Sequence, residues 1–232
     1  MTPFVAAEAP EYIGFYKPPR MHTAPLSEGE ENNLLDWAGK RFPEILRIHG
    51  RKEIEGGLVN RLDYETQGLV LCARTEKMMK LFLEQQEKNA VIKEYDAVSE
   101  CTGSGTLWLP GFPPAPSVPC NEPVIIESAF RPYGMGRKSV RPVLYENSIN
   151  KNSALYRTEI LSAAEIQGKC FYRIRIVKGF RHQIRSHLAW VKRPLLNDFL
   201  YGTGNDNNPG YLALRASSIS FYIDNRPKVV LL

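Results

Sequence analysis

An arginine and two carboxylates fall within five residues of this chain, in the run Arg61-Leu62-Asp63-Tyr64-Glu65. An ionised carboxylate is a legitimate covalent nucleophile, and a neighbouring arginine favours the ionised form. On residue chemistry alone, a surface ion pair in a turn, Arg61–Asp63 or Arg61–Glu65, is the favoured account, because exposed pairs usually signify little. Two other residue types add chemistry. Tyr95 offers a flat face that can stack and a phenol that can bond or move a proton. Arg181 and Arg185 supply positive charge, as does the cluster Arg131, Arg137, Lys138 and Arg141. Of these, Arg185 would stand at a helix start, where it could hold Asp63 ionised.

Rigid elements must present such groups. Leu69 to Ala73 is an uncharged apolar run entered through Gly68, which predicts a buried strand directly behind Asp63. Tyr12–Tyr16 reads as a strand stopped by Lys17-Pro18-Pro19. Ser27 and Glu30 fit a capping box for a helix running through Leu34, Leu35, Ala38 and Phe42 to Pro43. His49 follows in a basic loop, Arg47 to Lys52. Thr75 is the expected N-cap of a helix to about Asn89, with Glu76 and Lys80 as an i,i+4 pair. Residues 91–100 alternate like a strand and carry Tyr95. Residues 154–162 and 169–178 predict a hairpin or meander, with Tyr172, Ile174 and Ile176 facing inward. Ile184, Leu188 and Val191 share a helical face ended by Pro194, with Arg181 and Arg185 on another. A Gly/Asn-rich turn over 201–210 precedes a last strand, 211–223.

The whole chain bounds the classes. It has 232 residues, 43% hydrophobic and 24% charged, which is ordinary for a globular protein. A formal charge of +5 is compatible with a polyanion partner. A basic groove with aromatics suits RNA, although the 131–141 cluster is equally accounted for as a solvated loop. No stretch of about 18 apolar residues can span a membrane, and the N-terminus has no signal-peptide pattern. The cytoplasm is the expected location. Cys72, Cys101, Cys120 and Cys170 form no C-x-x-C pair and read most simply as free thiols. His182 and His187 lie five apart, on different faces of a helix, and no metal site is expected. Dinucleotide, P-loop and G-x-S-x-G patterns are missing from the sequence. Residues 101–123 are dense in Gly and Pro and read as a long loop or insertion.

Five ordered stretches carry a resemblance. NRLDYETQGLVLCAR is similar to the central motif of the RluA-type pseudouridine synthases, H-R-L-D-x-x-T-S-G-L-(L/V)-(L/V)-x-A-(K/R). FYKPPRMHTAP resembles the N-terminal KPxGxxxHP, and KEYDAV the K-x-Y-x-A-x-V strand. GFRHQIRSHLAWVKRPLLNDFLYG resembles G-R-T-H-Q-I-R-x-H-L-A-x-x-G-x-P-(I/L)-x-G-D-x-x-Y-G. LALRASSISF resembles L-x-L-H-A-x-x-L-x-F. Together they run from about residue 14 to 221.

The resemblance implies an α+β pseudouridine synthase fold, a mixed, largely antiparallel bent sheet with flanking helices and loops. It implies one catalytic domain over 1–232 with no S4-like RNA-binding domain, acting as a monomer without metal or other cofactor. The implied reaction isomerises uridine in ribosomal or transfer RNA to pseudouridine. By motif position, Asp63 is the catalytic aspartate, Tyr95 packs on the target base, Arg185 pairs with the aspartate, and Arg61 fills the gap left by the flipped nucleotide. Arg181, His182, Lys17, Arg137 and Lys138 complete the expected RNA contacts. Asn60 stands where histidine is usual, Gln67 where serine is usual, and Phe180-Arg181 where Arg-Thr is usual. Arg193 and Asn197 replace glycines. The insertion is the expected source of RNA choice. A non-catalytic RNA-binding relative is the alternative of another class. A carboxylate glycosidase using Glu65 as second acid is a third.

Overall fold

The structure is a computed structural model and describes residues 1–100, 109–117, 123–144, 154–202 and 210–232. It divides into two compact units, Met1–Glu94 with Arg215–Leu232, and Tyr95–Leu214.

In the first unit, strands β1 (Phe4–Glu8), β2 (Tyr12–Lys17) and β3 (Gln67–Ala73) pair antiparallel in that order. The chain returns at its end as β9 (Leu214–Ile223) and β10 (Arg226–Leu231), an antiparallel hairpin. β9 joins β3 in parallel through Gln67–Arg215 and Gly68–Ala216. Gly68 has φ +124°, and a Cβ there would collide with the Ala216 backbone, so this junction requires glycine. Every β3 residue after Gln67 is buried, as an uncharged strand covered on both faces should be. Helix α1 (Leu34–Gly39) leads into Phe42, and Phe15 meets the rings of Trp37 and Phe42. Helix α2 (Glu76–Glu87) buries Met78, Met79 and Phe82, and Phe82 meets Phe221 of β9.

In the second unit the strand order is β4 (Ile92–Glu100), β8 (Lys169–Ile176), β7 (Tyr156–Ile166), β5 (Val124–Tyr133) and β6 (Ser139–Val143). The pairs β7–β8, β5–β7 and β5–β6 are antiparallel. β8 buries Tyr172, Ile174 and Ile176 and leaves Arg173 and Arg175 partly open, the expected alternation. Helix α3 (Gln183–Trp190) is buried along all eight residues. It is not the amphipathic helix its apolar spacing suggests.

Three expectations are corrected, and two strands are new. The capping box does not start α1, because Gly29 (φ +78°) and Asn32 (φ +64°) turn the chain first. Asn33 caps instead, its Oδ1 accepting from Asp36 N at 2.9 Å. The basic 131–141 segment is not a plain loop. Its ends are the paired strands β5 and β6, and only a tip around Gly134 and Gly136 turns. β1 and β10 had no expected counterpart, since β1 is a half-buried strand and β10 a mostly exposed one. Cys72 is a free buried thiol, but Cys170 is disulfide-bonded, a pairing that spacing along a chain does not report. Cys101, Cys120 and residues 203–209 of the expected Gly/Asn-rich turn lie outside the described residues.

Candidate active site

Asp63 is half-buried in the turn that leads into β3, with Thr66 N donating to its carbonyl at 3.1 Å. A turn leaves backbone groups without regular partners, and here side chains supply them. Thr23 clamps Leu62 on both sides, its Oγ1 accepting from Leu62 N (3.0 Å) and donating to Leu62 O (2.9 Å). Asn60 ties the approach to β3, accepting from Leu71 N (2.9 Å) and donating to Leu69 O (3.2 Å). Tyr64 O accepts from Arg20 N at 2.8 Å.

Lys17 is 0% exposed. Its Nζ donates to Met21 O (2.7 Å), Pro18 O (2.9 Å) and Tyr64 O (3.3 Å). Burial pulls its pKa down to about 7, against the opposing pull of the Asp63 and Glu65 charges. Lys17 thus serves as an internal post for the Asp63 turn. A buried ammonium ringed by carbonyls is not placed to meet RNA, and that part of the expectation is corrected. Arg61 Nη1 donates to Glu55 at 2.7 Å, with its side chain 55% exposed. Of the family departures, Asn60 is a β3 clamp and Gln67 accepts from the Tyr16 hydroxyl at 2.8 Å.

In the second unit, Tyr95 is buried on β4. Arg185 forms a bidentate pair with Asp198, Nε to Oδ2 and Nη2 to Oδ1, both 2.8 Å. The two side chains are 6% and 0% exposed. Asp198 Oδ1 also accepts from Leu200 N (3.0 Å) and Tyr201 N (3.1 Å). The Tyr201 ring lies under the guanidinium at 5.4 Å, and its hydroxyl accepts from Val140 N at 2.7 Å. That hydroxyl is also 3.1 Å from Nδ1 of His182, the left-handed residue (φ 54°) that starts α3. His187 lies between Thr158 and Ser128 hydroxyls at 2.8 and 2.9 Å, and burial lowers its pKa to about 3, so it stays neutral.

Arg181 lies outside the helix and donates to Arg137 O (2.7 Å) and Ser139 O (3.4 Å), bracing the β5–β6 tip. At that tip Arg137 and Lys138 are exposed, beside a 96% exposed Met135. Phe180, the other half of the Phe180-Arg181 departure, stacks on Phe130 at 5.2 Å. The described part of the insertion is docked: Trp190 Nε1 donates to Pro113 O (3.0 Å) and Pro114 O (3.2 Å), and Arg141 bonds Gly111 O. Sequence reasoning assigned nothing to Asp198, Tyr201 or Thr23, although all three stand in the quoted motif stretches. Among the described residues no group of three or more His, Cys, Asp or Glu is placed to hold a metal ion. No helix among them is long and apolar enough to cross a membrane.

Two solved human structures share this fold. RNA Pseudouridylate Synthase Domain Containing 1 aligns over 100% of this chain and 83% of its own, with TM-score 0.68 and 18% identity. RNA Pseudouridylate Synthase Domain Containing 4 aligns over 98% and 87%, with TM-score 0.65 and 16% identity. The architecture is therefore the α+β pseudouridine synthase fold. The sequence profile of the RNA pseudouridylate synthase family matches residues 11–190, and the chain belongs to that family. Curated relatives are the ribosomal large subunit pseudouridine synthases D of Vibrio cholerae and Salmonella typhimurium. The first is 29% identical over 63% of this chain and 38% of the relative. The second is 28% identical over 85% and 52%. The chain spans about half the length, or less, of these relatives.

Proposed function

We propose that this chain isomerises uridine in RNA to pseudouridine, with Asp63 as the catalytic carboxylate. The observation that carries this reading is the construction of the Asp63 turn. Lys17, Thr23, Asn60 and Arg20 bond the backbone on both sides of one half-exposed carboxylate at the rim of β3. Such over-determination suits a group that must meet a reacting atom. In the proposed reaction the N1–C1′ bond breaks, the uracil turns, C5 bonds C1′, and the proton on C5 leaves as N1 is protonated.

Arg185 is the proposed ion-pair partner of Asp63. Asp198 orients its guanidinium, and an arginine has five N–H groups, enough to serve a second acceptor. Tyr95 is the proposed base-packing ring. Arg61 is the proposed wedge for the emptied stack, its guanidinium resting on the buried Glu55. Arg137, Lys138 and the exposed face of the 109–117 insertion are proposed RNA contacts, and Arg181 and His182 support them. The proposed enzyme is a monomer, one catalytic domain over 1–232, that acts on large-subunit ribosomal RNA in the cytoplasm. The names of the relatives favour that RNA over transfer RNA.

Mapping pseudouridines in the ribosomal and transfer RNA of a strain lacking the protein tests the reading. One or more sites should be lost, restored by the wild-type chain and not by Asp63→Asn. An unchanged map would favour a non-catalytic RNA-binding protein.

A further inference from the structure

Gln67 and Arg215 stand where the RluA-type motifs carry serine and histidine. Far apart in sequence, they face each other in register across the parallel β3–β9 pair. Their side chains therefore leave the sheet on the same face. On β2 that face carries Tyr16, the register partner of Leu69, and on β1 it carries Phe4, the register partner of Tyr16. Further along β2 the face is closed, because a Cβ on Gly14 would come within 3.1 Å of Val230 Cγ1 on β10. At the Tyr16 end it opens into a cavity of about 390 Å³, lined by Phe4, Tyr16, Gln67, Arg215 and Leu231 among others. That volume falls in the range of small-ligand sites.

The lining brings three kinds of group together. Tyr16 is buried, and its hydroxyl donates to Gln67 Oε1 at 2.8 Å and reaches Met1 Sδ at 3.3 Å. An amide has two N–H groups and an oxygen with two lone pairs. Gln67, oriented by Tyr16, thus keeps a donor beside an acceptor for a further partner. Phe4 stacks on Tyr16, with ring centroids 4.8 Å and planes 22° apart. It is still 48% exposed, so part of its surface is open to a third ring. Arg215 is exposed and adds a cation. An aromatic surface, a donor–acceptor edge and a guanidinium complement the face, edge and phosphate of one nucleotide.

We propose that this cavity binds one unpaired nucleotide of the RNA substrate other than the target uridine, an inference that rests on the RNA reading above. The base packs on Phe4, its edge bonds Gln67, and its phosphate pairs with Arg215. The occupied cavity holds the RNA strand at the end of β3 that follows the Asp63 turn. Because Gln67 meets a base edge, the cavity contributes to RNA choice as well as to affinity.

The test is fluorescence anisotropy with short labelled oligo(A), oligo(U) and oligo(C) RNAs over a range of KCl concentrations. Phe4→Ala should weaken binding on the order of tenfold with the salt slope unchanged, since stacking is uncharged. Arg215→Gln should lower the slope by about 0.7, the share of one phosphate on a single strand. Gln67→Ser should narrow the differences in affinity among the three RNAs. Phe171→Ala, an exposed ring on β8, and Lys228→Gln, an exposed lysine on β10, are the controls for loss of an aromatic and of a charge. Circular dichroism checks each fold, and if Phe4→Ala misfolds, the slope of Arg215→Gln decides. Unaltered binding in Phe4→Ala and Arg215→Gln, or equal losses in the two controls, would overturn the cavity as a nucleotide site. So would a wild type that binds the three RNAs alike. Tritium release from C5-labelled RNA separates this inference from the isomerase. Binding that depends on Phe4 and Arg215 without release removes the isomerase and leaves the cavity. Release with unaltered binding in the variants does the reverse.

Discussion

The turn that carries Asp63 and the helix that carries Arg185 are both held rigidly, but by different chemistry. The turn is secured through backbone: Leu62, Tyr64, Leu69 and Leu71 are each bonded by a side chain or by Arg20 N. Helix α3 already satisfies most of its own backbone. Its buried polar side chains must therefore satisfy one another or nearby groups, as Arg185 does with Asp198 and His187 with Ser128 and Thr158. The turn is thus a sum of modest neutral bonds around one lysine. The helix rests on a charge pair that cannot be half removed.

The largest effect should come from breaking that pair. Asp198→Ala removes the bidentate partner of the buried Arg185 and should cost about 3–5 kcal/mol in urea unfolding. A cost near 1 kcal/mol would mean that water or another carboxylate reaches the guanidinium.

The two regions should also respond to opposite ends of the pH scale. Folded His187 stays neutral down to about 3, while the unfolded imidazole takes up a proton near 6.5. Stability should fall as pH drops through that window, by at most about 1.4 kcal/mol per unit. Folded Lys17 releases its proton near 7, while the unfolded side chain keeps it to about 10.5. Stability should rise with pH across that window, with a similar upper limit. His187→Leu should flatten the acid limb and Lys17→Met the alkaline limb, measured as unfolding free energy from pH 4 to 10.

Smaller effects are expected in the turn. Asn60→Ala strips Leu71 N of its acceptor and should cost about 1–2 kcal/mol. Arg61→Gln should cost less than about 1 kcal/mol, since its pair with Glu55 is largely exposed on the arginine side. A larger loss there would make Arg61 part of the scaffold rather than a proposed RNA contact.

Features encoded by local pattern were legible in the sequence. The β3 run, the Thr75 cap, with Oγ1 accepting from Met78 N at 3.1 Å, and the β8 alternation all appear where expected. What escaped needed partners from distant residues. α3 looked amphipathic because Ile184, Leu188 and Val191 share one face and Arg185 falls on another, but Asp198 encloses Arg185 while Ser128 and Thr158 enclose His187. Lys17 looked like a surface cation ahead of two prolines, and only the chain's return at Tyr64 makes it an internal post. Thr23 carried no local signal for its clamp on Leu62, forty residues away in rough terms. Asp198 and Tyr201 lay inside a quoted motif, but residue type alone did not say which groups they would bond.

The central claim is that the carboxylate at the end of the Asp63 turn performs chemistry on uridine. Its most direct test is tritium release from RNA labelled at uridine C5, with wild-type protein and with Asp63→Asn of unchanged fold by circular dichroism. The account predicts release by the wild type and a loss on the order of a thousandfold or more in the variant. Equal release by the two proteins would contradict it.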